Sequence, residues 1–149
     1  MAGYSGTPLP KKLGLKPEFR VAFFQLPSDV KTALKDALSD CLLVKDGTHS
    51  SEPLDFAMIF LKSQAEMKEQ FPKFARRLAP AGVMWVSWPK KTSGVAADLN
   101  ENDVRRIGLT AGLVDVKVCA VTEVWSGLKF VIRVQDRPRA SAAHKVKKS

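Results

Sequence analysis

Three short, almost unbroken apolar runs, RVAFFQL (Arg20 to Leu26), LDFAMIFL (Leu54 to Leu61) and VMWVSW (Val83 to Trp88), are separated by segments with helical spacing. Strands with no polar alternation are covered on both faces, as in a parallel sheet with helices above and below it. The intervening segments agree. After the turn Pro27-Ser28-Asp29, where Ser28 or Asp29 can cap, Val30, Ala33, Leu34, Ala37 and Leu38 recur along one helix face. Ser63 to Glu66 reads as a capping box, with the Ser63 hydroxyl accepting from the Glu66 N–H and the Glu66 carboxylate accepting from the Ser63 N–H. The helix it opens presents Met67, Phe71, Phe74, Ala75 and Leu78, and Pro72 within it predicts a kink or two short helices. A later helix, capped by Asn100 and closed by Gly112, presents Val104, Ile107 and Ala111. Gly108 on that face costs about 1 kcal/mol against alanine, which predicts close packing on a neighbouring element.

CLLVKDG (Cys41 to Gly47) reads as a further short buried strand. At the C-terminal end VDVKVCAVTEVW and LKFVIRV, joined by Ser126-Gly127, read as a hairpin turning at those two residues. Together these elements predict an α/β fold: a single Rossmann-like open sheet, mostly parallel, with a C-terminal antiparallel hairpin and helices on both faces. Residues 1–18 hold three glycines and three prolines and read as an arm without regular structure, pinned by Tyr4. Residues 19–136 form the domain, and residues 137–149 a disordered basic tail.

At 149 residues the chain fits one domain, which at this size hides roughly 70% of the surface its unfolded form exposes. Cys41 and Cys119 lack metal-ligand spacing and lie in apolar runs, as buried free thiols do. No apolar run reaches a membrane span and no leader-type apolar stretch begins the chain, so a cytoplasmic protein is expected. The net charge is +9, and Arg137, Arg139, Lys145, Lys147 and Lys148 in the acid-free tail account for five of it. Such a tail can hold nucleic acid through counterion release, and it also serves solubility alone.

The element order resembles the second half of the class I S-adenosylmethionine-dependent methyltransferase fold. LDFAMIFL is similar to that family's fourth strand, which opens with an aspartate, here Asp55. LAPAGVMWVSWP is similar to its L-x-P-G-G turn and fifth strand, with Ala81 in place of one glycine. MAGYSGTPLPKKLG, WPKKTSGVAADL and VDVKVCAVTEVWSGLK together resemble a family of small bacterial proteins classed only as a domain of unknown function. The first resemblance implies an adenosyl cofactor, yet the chain departs from it where that cofactor would bind. FFQLPSDVKT stands in place of the glycine-rich turn, and no glycine occurs between Lys16 and Gly47. Side chains then enter the space that bare backbone leaves to a cofactor, and Pro27 removes an N–H donor. The third strand and its helix are absent as well. Asp46 stands where a ribose-binding acid would be, a place where an acid at a strand end is also commonplace.

Ligands of open parallel sheets bind outside the carboxyl ends of the strands. That rule gathers Gln25 to Asp29, Asp46 to His49, Lys62 and Ser63, Trp88 to Asp98, and Trp125 to Gly127 of the hairpin on one rim, within which Trp88, Lys90, Lys91, Ser93, Gly94, Trp125, Ser126 and Asp46 form the candidate ligand site. The grouping suits a phosphate or carboxylate on a planar group, with ammonium groups for the anion and indoles for the ring. A solvated loop with Trp88 and Trp125 serving as packing is the plainer alternative, and Trp85, in mid-strand, reads as core. The lysines precede the glycine, so the segment is no P-loop. His49 and His144 have no carboxylate or cysteine at catalytic or metal spacing. Asp98 beside the lysines reads as a helix-capping acid or, if buried, as a general base. Together these readings predict a non-catalytic protein that binds an anionic small molecule or a protein partner at the strand-end rim, with no cofactor or metal assigned. The alternatives are a divergent methyltransferase and a nucleic-acid accessory protein acting through the tail.

Overall fold

The computed structural model describes residues 7–44 and 52–137. Among them, strands β1 (Arg20–Phe24), β2 (Leu42–Leu43), β3 (Leu54–Phe60), β4 (Leu78–Pro89), β5 (Leu113–Ala120) and β6 (Trp125–Ile132) form one sheet in the order β2-β1-β3-β4-β6-β5. The strands from β2 to β4 are parallel neighbours, while β6 runs antiparallel to β4 and β5 antiparallel to β6. The α/β sheet with a returning hairpin is therefore the one the apolar runs predict.

Helices lie on both faces. Leu34, Leu38 and Val30 of α2 (Ser28–Leu38) join Leu13 of α1 (Leu9–Leu13) in a core that also holds Val21, Phe56, Met58, Phe60, Trp85 and Trp125. On the opposite face Met67, Phe71 and Phe74 of α3 (Gln64–Ala75) and Val104 and Ile107 of α4 (Glu101–Thr110) cover Ala57, Ile59, Met84, Val86, Leu128 and Phe130. Alternation along β4 divides its side chains between the two cores, since successive residues of a strand point to opposite faces. At the amino ends of the strands the Asp55 carboxylate accepts the Arg20 N–H at 2.8 Å, and Arg20 pairs with Glu52 at 2.8 Å, tying β1 to β3. Among the described residues no helix is long and apolar enough to cross a membrane.

Several local expectations are corrected. Part of the supposed arm is helical: α1 takes its prolines in the first turn, where a missing N–H is harmless, and buries Leu13 completely. The Trp85 indole N–H donates to the Leu13 carbonyl at 2.9 Å and fixes α1 on the sheet. The strand read as buried in CLLVKDG is two residues long and lies at the sheet edge, where Leu42 and Leu43 are more than half exposed. Helix α3 runs through Pro72 as one element. Burial of Met67, Phe71 and Phe74, worth roughly 1.5 to 3 kcal/mol each, outweighs the single bond that the proline removes. Ala33 and Ala111 are exposed rather than buried.

The hairpin turns one segment earlier than expected. Residues 121–124 make the turn, with the Thr122 hydroxyl accepting from the N–H groups of Val124 and Trp125, both at 3.1 Å. Ser126 and Gly127 lie inside β6. Gly127 is needed for closeness rather than for turning, because a β-carbon there would sit 3.0 Å from the Val121 methyl and 3.1 Å from the Trp85 ring. Gly108 meets its expectation, since a β-carbon on it would overlap the Phe130 ring.

Candidate functional site

Strand β4 extends to the carboxyl rim and ends in Trp88-Pro89, followed by a single 3₁₀ turn, Lys91–Ser93, and a loop that returns to α4. Strand β6 starts at the same level. Trp88 pairs with Ser126 and Pro89 with Trp125, and the Lys90 N–H donates to the Val124 carbonyl at 2.7 Å. The WPKKTSG and WSGLK segments are thus neighbours, as the strand-end rule predicts. Between them and the start of α4 opens a cleft of about 610 Å³, lined by Trp88, Pro89, Lys90, Lys91, the loop Val95 to Leu99, Glu101 and Ser126 among others.

Not every residue assigned to the site reaches the cleft. Trp88 lines it with the edge of a side chain that is 6% exposed and otherwise packed in the α3–α4 core. Trp125 belongs to the other core, where its ring meets Phe60 edge-on at 5.2 Å. The two indoles lie on opposite faces of the sheet, so they do not form a joint stacking surface. Antiparallel pairing sets Trp125 opposite Pro89 rather than Trp88, and that one-residue offset is enough to reverse the face. Ser93 serves the turn: its hydroxyl donates to the Lys90 carbonyl at 2.7 Å and accepts from the Val95 N–H at 3.1 Å. Gly94 follows with φ of 82° and ends that turn. Asp46 and His49 lie outside the described residues, as do Tyr4 and His144.

The cleft has mixed charge. Lys90 and Lys91 face Asp98 and Glu101, of which Glu101 is paired with Arg105 at 2.8 Å. Asp98 is a structural acid: its carboxylate accepts the Gln64 N–H at 2.8 Å, its carbonyl accepts from the Gln64 side chain at 3.1 Å, and its own N–H donates to the Lys62 carbonyl at 3.0 Å. It caps the start of α3 from a distant loop. The start of α4 is likewise satisfied, since the Asn100 side chain accepts from the Asp103 N–H at 2.9 Å.

A second part of the rim, where the strand-end rule puts Gln25 and Lys62, is closed by contacts that the sequence does not show. The strand order reverses between β1 and β3, the place where an open sheet offers a ligand crevice. Gln25 follows β1 there with φ of 57°, a left-handed conformation uncommon outside glycine. Its side-chain amide donates to the Phe60 carbonyl and to the Glu66 carboxylate, both at 2.9 Å. Glu66 also accepts from the Lys62 N–H at 3.3 Å. Half of the expected capping box is present, with Ser63 accepting from the Glu66 N–H at 3.1 Å, but the carboxylate turns to Gln25 and Lys62 instead of Ser63. Pro27 stands immediately before α2 with no side-chain cap. The missing glycine and the strand-end rule both point to this place, but the partner across the gap is a long-range contact.

Among the described residues no group of three or more His, Cys, Asp or Glu side chains is placed to hold a metal ion. The two thiols are half-buried, and burial pushes both up from the ordinary thiol value.

Solved structures share the fold. An S-adenosylmethionine-dependent methyltransferase from Aquifex aeolicus is 13% identical with a TM-score of 0.57 over 80% of this chain and 85% of that one. The CcbJ methyltransferase from Streptomyces caelestis is 9% identical with a TM-score of 0.55 over 83% and 86%. The magnesium protoporphyrin IX methyltransferase from Synechocystis, solved with bound SAH, is 13% identical with a TM-score of 0.52 over 83% and 78%. At such identities the likeness is one of fold alone. No curated protein matches the chain in sequence. A family match covers residues 10–134, nearly all of the described body, so this methyltransferase-like chain belongs to the family described as protein of unknown function DUF3052.

Proposed function

We propose that the protein is a cytoplasmic, non-catalytic binder of an anionic small molecule, which it holds in the cleft at the carboxyl rim between β4, β6 and α4. The observation that carries this reading is the convergence of Lys90, Lys91 and Ser126 on a concave space of about 610 Å³. Two ammonium groups and a hydroxyl supply donors for a phosphate or carboxylate, each charge-assisted bond contributing about 1.5 to 3 kcal/mol before association costs. Pro89, Val95, Ala96 and Ala97 supply apolar contact for the rest of the ligand. Asp98 and Glu101 on the opposite wall disfavour a ligand that is anionic at both ends. Micromolar affinity at best follows from so few bonds.

A second reading, a divergent S-adenosylmethionine-dependent methyltransferase, is favoured by the shared fold and opposed by the Gln25 bridge and the proline that follows it. Calorimetric titration of the full chain with AMP, inorganic phosphate and S-adenosylmethionine separates the two. AMP binding that the double change Lys90→Ala, Lys91→Ala weakens about tenfold or more supports the rim cleft. S-adenosylmethionine binding that this change leaves untouched supports the methyltransferase reading and removes the first.

A further inference from the structure

On the sheet face opposite the cleft, two lysines stand directly opposite each other and the N-terminal segment brings the charges of two more to bear on that neighbourhood. Lys117 of β5 and Lys129 of β6 are direct cross-strand partners. Like charges set opposite each other on adjacent strands are destabilising, so this pairing is an unusual choice in the middle of a hairpin. It is produced by a β-bulge. Asp115 pairs with Phe130, on the face covered by α4, where its carboxylate accepts from Arg105 at 2.9 Å. Without an irregularity Lys117 would share that face. The register shifts between Asp115 and Lys117, leaving Val116 as the extra residue and turning Lys117 to the side of Cys119 and Trp85. Bulges re-aim side chains in this way, often beside binding sites.

Helix α1 and the residues after it complete the group. The Lys12 ammonium donates to the Ala120 carbonyl at 3.1 Å, at the end of β5. The bond from Trp85, the β4 neighbour of Lys129, to Leu13 anchors the segment that leads to Lys16, and the charge of Lys16 acts on Lys129. Burial first, then Lys117 and Lys16, hold the Lys129 ammonium below the ordinary lysine value. Lys12 and Lys117 are the charges that act on the neighbouring Cys119 thiol. Asp115, the acid closest in sequence to Lys117, is held on the other face by Arg105.

We propose that Lys12, Lys16, Lys117 and Lys129 form a second site, independent of the rim cleft, that binds closely spaced phosphate groups. Lysines act as point charges on phosphate, and the repulsion of two lysines set opposite each other by backbone register, added to by Lys12 and Lys16, is offset by a ligand carrying several negative charges in a short span. A free polyphosphate chain and two successive phosphates of a nucleic-acid backbone both present that chemistry.

The test uses the full chain at low ionic strength, with inorganic tripolyphosphate and a thymidine oligonucleotide as probes, in the wild type, in Lys117→Gln/Lys129→Gln and in Lys90→Ala/Lys91→Ala. Tripolyphosphate affinity is expected to fall about tenfold or more in the first variant and by a clearly smaller factor in the second, whose lysines line the cleft proposed above for a single anionic group. The first variant removes a like-charge pair, so its thermal midpoint should be at or above the wild-type value, which shows that lost binding is not lost folding. Oligonucleotide binding that falls in parallel identifies a nucleic-acid backbone as the source of the phosphates; tripolyphosphate loss with no change in oligonucleotide binding identifies a free polyphosphate. Undiminished tripolyphosphate binding in Lys117→Gln/Lys129→Gln, or no binding by the wild type, overturns the proposal and leaves the lysines as protection of a sheet edge. Loss only in Lys90→Ala/Lys91→Ala assigns the anion to the cleft and likewise overturns it.

Discussion

Two openings on one rim are treated in opposite ways. Between β1 and β3, where the strand order reverses, Gln25 reaches across to Phe60 and Glu66 and joins the two sides. Between β4, β6 and α4 the loop Val95 to Leu99 swings outward and leaves a cleft. Both lie where loops diverge at the carboxyl ends of strands, so the fold alone does not distinguish them. What decides is local: a glutamine in a left-handed conformation where backbone alone would leave room, against a 3₁₀ turn, fixed by Ser93, that carries two lysines to the edge of a space. The sheet thus shares its fold with solved methyltransferases while one part of its rim is bridged and another is left concave.

The comparison can be broken most strongly from the open side. Helix α4 lends its first residue, Glu101, to the lining of the cleft and rests on Phe130 through Gly108. Gly108→Val should destabilise the protein by about 2 to 3 kcal/mol, the upper part of the overpacking range, because ring and helix cannot share the space. Urea unfolding measures this, and a loss below about 1 kcal/mol would show that α4 is free to shift. The closed side is weaker. Gln25→Ala removes two bonds from a partly solvated site and should cost about 1 kcal/mol. Glu66→Ala should cost about as much, and the double change little more, since the two residues share one bond. Additive losses in the double mutant would show that the bridge does not couple them.

These two regions were unequally legible. Strands and helices followed from local pattern: the apolar runs gave β1, β3 and β4, and spacing placed Val30, Leu34, Met67, Phe71, Val104 and Ile107 in the core correctly. The proximity of WPKKTSG and WSGLK followed from topology. Face assignment did not, because it depends on register, and register depends on a hairpin turn that Ser126-Gly127 imitated. The turn made by Thr122 carries no glycine, while Gly127 answers to Trp85 far away in sequence. Trp125 was consequently put in the site instead of the core. Gln25 falls on the rim by the strand-end rule, but its bridging role does not follow from the sequence, because its partners Phe60 and Glu66 lie 35 and 41 residues away. The lysine cluster depends on a bulge that no pattern of hydrophobicity reveals.

The smallest expected effect concerns the hairpin. Hydrogen bonding from Arg105 is the largest influence holding the Asp115 carboxyl below the ordinary carboxylate value. A depressed acid stabilises the fold fully above its unfolded value of about 3.9 and loses that contribution as pH falls through the folded value. Both partners are about a third exposed, so Asp115→Asn should cost no more than about 1 kcal/mol at pH 7 and nothing under strongly acidic conditions. For Lys129 the lowered value marks a cost rather than a gain, though the dependence on pH has the same direction. Its charged form is disfavoured in the folded state, so stability should rise as pH climbs through its lowered folded value and level off above the ordinary lysine value of about 10.4. Lys129→Met should abolish that rise, and thermal melts across alkaline pH measure it.

Amide chemical-shift mapping of the full chain with AMP, repeated with S-adenosylmethionine, tests most directly which opening receives a ligand. Shifts on AMP addition concentrated at Lys90, Lys91, the loop Val95 to Leu99 and Ser126, with none on addition of S-adenosylmethionine, are the expected result. Shifts at Gln25, Phe60 and Glu66 with either compound would contradict it, and would mean that the bridge between β1 and β3 opens to admit a cofactor.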